Sequence, residues 1–205
     1  MLPTDFDVSK HGFHFSNNDI EWEVHPGSIR GKNLCGGMIY AALDTFLCSR
    51  TTPPDTDPPP RGTPMNQYIV QRQLKAHNKT LPRLAGQSAV FGLFSYSNWY
   101  VNSLASEFDK IRRWVAAKCP APLFLVMVDT MHAHHVLVTG CQSSPSLGNP
   151  ILTVYDPNAP DDISEISVDY RSKRFNLLAK KAPSYDWDIR GFFFDPGYIR
   201  HTPPW

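Results

Sequence analysis

The sequence predicts an α+β domain, helices first and an antiparallel sheet after them. Two observations carry this: apolar and amphipathic helical patterns run from Asn33 to Cys119, and short β-rich runs, PLFLVMV, HHVLVTG and ILTVYD, follow with turn signals between them. A third is that strands and helices never alternate in the manner of a βαβ repeat. At 205 residues, 41% hydrophobic and 12% aromatic, the chain is long enough for a sizeable core and short enough to be one domain over 1–205.

In order along the chain, HGFHFSNNDIEWEV alternates large apolar with polar residues and reads as a short strand or extended arm, broken by HPGS. From Asn33, LCGGMIYAALDTFLC is apolar around most of a helical circumference, which predicts a buried helix. TTPPDTDPPPRGTP, residues 51–64, is an exposed Pro-rich loop, because proline blocks helix and ladder bonds alike. MNQYIVQRQLKAHN is a second helix candidate, and AGQSAVFGLFSYSNWYVNS fits a strand or irregular structure equally. SLASEFDKIRRWVAAKC has a Ser start, early acids, late bases and a stripe of Phe108, Ile111, Trp114 and Val115, so it predicts an amphipathic helix. Beyond the three β-rich runs, ISVDY and GFFFD offer two more strands. Phe192–Phe194, Trp187 and Trp205 read as core residues of a terminal strand or as a binding surface, the first being the more ordinary reading.

Composition excludes several function classes. Lys and Arg total 20 against 19 for Asp and Glu, so a net charge of +1 gives no general attraction to nucleic acid or an anionic surface. No run approaches the roughly 18 apolar residues of a membrane helix, and Met1–Lys10 lacks the basic start and apolar middle of a secretion signal. No membrane partner is expected. Cys35, Cys48, Cys119 and Cys141 include no CxxC pair and no zinc-ligand spacing. Cys35 and Cys48 sit at opposite ends of the predicted helix, about 20 Å apart, beyond disulfide reach; a bridge between Cys119 and Cys141 stays open. His132, His134 and His135 crowd together, but alternation lets only His132 and His134 share a ligand sphere, so neither a metal nor another cofactor is expected.

Chemistry is suggested by three separated segments. Cys35 opens the buried helix, where unpaired N–H groups and the macrodipole favour a thiolate, and Gly36 and Gly37 leave room for a substrate backbone. The same residues also fit a plain packed helix with a small buried cysteine. In HHVLVTG, alternation places His134, Val136 and Val138 on one face, and the following strand ILTVYDPN ends at Asp156, positioned to orient that imidazole. Asn158 is a second candidate for orienting it, with an ordinary turn role as the alternative. Together Cys35, His134 and Asp156 make a nucleophile, a base and an orienter.

The order LCGGMIYAALDTF, HHVLVTG, ILTVYDPN resembles the papain-like cysteine peptidases, more closely the bacteriocin-processing branch and papain-like proteins with a Leu-Cys-Gly-Gly-Met helix and a Tyr-Asp-Pro-Asn strand end. It spans Leu34 to about Pro160. The resemblance implies a helical part whose buried helix carries the nucleophile, packed on a C-terminal antiparallel sheet. It also implies a thiol hydrolase with a Cys-His-Asp triad acting on a peptide or small amide. Matching Gly140 to the glycine that ends the family's histidine strand selects His134 over His135. Where the family carries its oxyanion-hole glutamine, this chain has Ile29; loss of such a donor costs about 3 to 4 kcal/mol of transition-state stabilisation unless Ser28 or Asn33 replaces it. A transglutaminase-like acyl-transferase uses the same three groups, and an inactive papain-like binding protein is the alternative from another class.

Overall fold

In the computed structural model, which describes residues 2–23, 30–93, 98–127, 133–142, 150–169, 174–179 and 187–205, the chain opens with β1 (Leu2–Pro3) and a short helix α1 (Val8–His11). Asp7 caps α1 by accepting from the Ser9 amide. A 3₁₀ turn at Asn17–Asp19, capped by Ser16, separates α1 from β2 (Glu21–Glu23), which pairs with β3 (Arg30–Lys32). The expected arm is therefore mostly turns: capping side chains interrupt the alternation, while Phe13, Phe15 and Ile20 still bury their rings and branches in the core.

Helix α2 (Cys35–Leu47) is buried at every position from Cys35 to Thr45, as an all-round apolar pattern requires. Asn33, ahead of it, takes a left-handed φ of 70°, which asparagine tolerates better than most residues. After the Pro-rich loop, α3 (Pro64–Leu93) begins with proline in the first turn and continues through Pro82, so the segment that sequence left between strand and irregular structure is helical as far as Leu93. Leu, Ala, Gln and Arg around Pro82 are strong helix formers, which favours continuation despite the missing donor. Helix α4 (Asn98–Ala116) follows, its stripe of Phe108, Ile111 and Val115 buried.

Among the described residues, six strands follow: β4 (Ala121–Met127), β5 (Ala133–Gln142), β6 (Ile151–Tyr155), β7 (Ile163–Asp169), β8 (Arg174–Ala179) and β9 (Trp187–Phe194). All pairings are antiparallel, so the chain is mixed helix and antiparallel sheet, α+β. The order β5-β4-β9-β8-β7-β6 closes on itself: β5 pairs with β4 along its first part and with β6 from Leu137 onward, and β1 extends the β4 side at Gly140 and Cys141. RFNLLA, which forms β8, was not legible as a strand.

Alternation divides the sheet into two cores. Leu123, Leu125, Val136, Val138, Phe192 and Phe194 pack with Phe108, Ile111 and Val115 of α4. Leu137 and Tyr155, on the other face, join α2, α3 and the N-terminal aromatics. Phe192–Phe194 are thus core residues; the side chain of Trp187 lies outside what is described. The C-terminal tail folds back on α2, where the Asp44 carboxylate accepts from Tyr68 Oη, Tyr198 Oη and the His201 amide and lies 2.8 Å from Arg72 Nε. Among the described residues no helix is long and apolar enough to cross a membrane.

Candidate active site

Helix α2 meets the sheet at its N-terminus. An α-helix leaves its first amides without intrahelical partners, and here the Gly37 amide donates to Gln73 Oε1 of α3 at 2.6 Å. Gln73 Nε2 in turn donates to His77 Nε2 at 2.5 Å. A Cβ on Gly37 would run into the Ile69 carbonyl oxygen, and one on Gly36 would stand 3.0 Å from Ala76 Cβ and 3.1 Å from His135 Nδ1. Both glycines therefore face α3, with His135 also over Gly36. Close helix packing, rather than space for a substrate backbone, accounts for the pair.

Cys35 occupies the first position of α2 and is 8% exposed. Its Sγ lies 3.9 Å from His135 Nδ1, and it is also hydrogen-bonded with the His134 side chain. His134 Nε2 donates to Asp156 Oδ1 at 2.7 Å, which leaves Nδ1 as the nitrogen for sulfur. Both members of that pair are buried, at 4% and 2% exposure. Asp156 follows β6 in an Asx turn, its Oδ1 accepting from the Asn158 amide at 2.9 Å, which fixes the carboxylate facing the ring.

Electrostatics follow from this packing. Burial pushes the Cys35 thiol up, but hydrogen bonds and charge from His134 and His135 outweigh it and hold the thiol well below its ordinary range. Burial alone would lower His134; the adjacent Asp156 charge and hydrogen bond, with Cys35, carry it up to about 10. The two shifts together describe a thiolate beside an imidazolium, in a site from which water is largely excluded.

Cys35, His134 and Asp156, drawn from three segments, come together. Asn158 does not join them: its Oδ1 accepts from Asn17 Nδ2 at 3.0 Å, so its side chain holds the N-terminal turn rather than an imidazole. Asn33 is exposed, two residues ahead of Cys35. Ser28, Ile29 and His132 lie outside the described residues. Among the described residues no group of three or more His, Cys, Asp or Glu could hold a metal ion. Cys119 and Cys141 are free thiols, as are Cys35 and Cys48.

His135, which the resemblance sets aside in favour of His134, is the imidazole 3.9 Å from the Cys35 sulfur. It is 1% exposed, because α2 covers the face of the sheet that alternation assigns to it. A signal was present: the chain has two adjacent histidines and two strands that end in Asp-Pro, ILTVYDP and GFFFDP, and each histidine lies near one of those aspartates. No family model, no curated protein and no solved structure matches the chain.

Proposed function

We propose that this protein is a papain-like thiol hydrolase acting on a peptide or small amide, with Cys35 as nucleophile, His134 as acid and base, and Asp156 as its orienter. The observation that carries the reading is the buried run from Cys35 through His134 to Asp156 at the start of a buried helix. A helix followed by an antiparallel sheet, with the thiol at their junction, is the architecture that such enzymes use.

In the reaction, the Cys35 thiolate attacks the amide carbonyl carbon and the carbonyl π electrons move to oxygen. Collapse of this intermediate expels the amine, which takes its proton from the His134 imidazolium and leaves a thioester. Water then attacks the thioester while His134 accepts its proton, and the carboxylic acid and the thiolate are released with the imidazolium restored. An amine in place of water makes the same steps an acyl transfer. The Cys35 amide, at the first position of α2, is the donor this reading assigns to the oxyanion, with Asn33 two residues before it as a candidate second.

The test is alkylation by iodoacetamide at about pH 6, read by intact mass, where an ordinary thiol is almost wholly protonated. Burial pushes Cys119 and Cys141 up, so they stay silent under these conditions. Wild type is expected to gain one adduct and Cys35→Ala none while remaining folded. Equal labelling of the two removes the proposal, and an ordinary thiol titration at Cys35 would favour a binding scaffold.

A further inference from the structure

We infer that His135 is a second catalytic imidazole, acting directly on the Cys35 sulfur beside His134 and held in place by Asp195. The inference rests on the thiol-hydrolase reading and adds a residue that the Cys-His-Asp pattern does not contain.

Three observations lead to it. His135 Nδ1 lies 3.9 Å from Sγ, close enough for a sulfur hydrogen bond. Its ring packs on edge against Phe124, with centroids 4.8 Å apart at 75°. Its other nitrogen, Nε2, is buried with no hydrogen-bond partner among the described residues, and stands 3.7 Å from Asp195 Oδ2.

Asp195 is itself fully buried and fixed. Oδ2 accepts from Tyr40 Oη at 2.5 Å and Oδ1 from the Gly197 amide at 2.9 Å. A buried carboxylate beside an otherwise unpaired ring nitrogen is placed to orient that ring, as Asp156 orients His134. Cys35 therefore stands between two imidazoles, each backed by an aspartate that follows a strand. The other ionisable groups near His135 are His77 of α3, whose ring centroid is 6.4 Å away and whose Nε2 is occupied by Gln73, and Tyr40 of α2 through Asp195. With two imidazoles at one sulfur, neither alone sets the ionisation of the thiol.

The experiment measures the iodoacetamide rate at Cys35 against pH in wild type, His134→Ala, His135→Gln and the double variant. Each single change is expected to lower the rate near pH 6 on the order of tenfold, and the double variant to bring the thiol back to ordinary behaviour. If His134→Ala slows alkylation and His135→Gln does not, the inference falls and the hydrolase reading stands. If Cys35 shows ordinary thiol reactivity in wild type, the hydrolase reading itself falls. Should His135→Gln not fold, ring ¹⁵N resonances of wild type and Cys35→Ala decide: a shift of the His135 Nδ1 signal supports the contact, and an unmoved signal overturns it.

Discussion

Asp156 is bound on two sides, by its own turn amide and by the His134 ring, and this is what makes the imidazole a fixed charge rather than a mobile one. Asp156→Asn keeps the shape and removes the charge, so His134 should fall from its value of about 10 and the thiolate should lose much of its counter-charge. Alkylation near pH 6 is expected to slow on the order of tenfold, with a smaller effect near pH 9, where an ordinary thiol is already ionised. A rate profile identical to wild type across that range would rule out Asp156 as the orienter.

The same shifts couple the site to stability. His134 is raised, so its contribution is complete below about pH 6.5 and is lost as pH rises through about 10. Cys35 is lowered, so its contribution is present above its usual value of 9.0 and is lost as pH falls through the depressed one. Cys35→Ala should therefore flatten the dependence of the unfolding midpoint on pH at both ends of the range.

At the scale of elements, α2 is held by neighbouring residues of α3: Gln73 takes the Gly37 amide, and Arg72 pairs with Asp44 further along the helix. Such close approach needs a helix surface without side chains at the crossing. Gly37→Ala would gain about 1 kcal/mol of helix propensity in isolation, yet its methyl has no room against the Ile69 carbonyl. We expect a net loss of about 1 to 3 kcal/mol in chemical denaturation, as for overpacked cores. A neutral or stabilising effect would mean that α2 and α3 separate freely. Because α2 carries Cys35, the same variant should also displace the thiol from its imidazoles and slow alkylation.

For the whole molecule, the tail that follows β9 joins the sheet to the helices. Tyr198, Ile199 and His201 reach Asp44 and Arg72, whose side chains are 0% and 3% exposed, and Trp205 packs edge-on against Phe13 and Tyr68. Removing one partner of a buried pair leaves an uncompensated charge, so Asp44→Ala should cost about 3 to 5 kcal/mol in denaturant unfolding. A loss below about 1 kcal/mol would show that the pair is not the anchor of the tail.

Elements whose patterns are local are legible in the residues alone. The apolar circumference of α2, the stripe of α4 and the strands β4, β5, β6, β7 and β9 all follow from side-chain period, which depends only on backbone geometry. The sequence also singled out Cys35, His134 and Asp156, because helix start, strand alternation and strand end are each readable in a few residues. Tertiary structure alone decided what covers the second face of β5, that the strands close on themselves, and that Gly36 and Gly37 serve a helix crossing. Those outcomes depend on contacts between segments far apart in the chain, here most clearly Cys35 with His135 and His135 with Asp195. Local pattern carries no record of such pairs, since alternation assigns a residue to a face but not to the neighbour that face will meet.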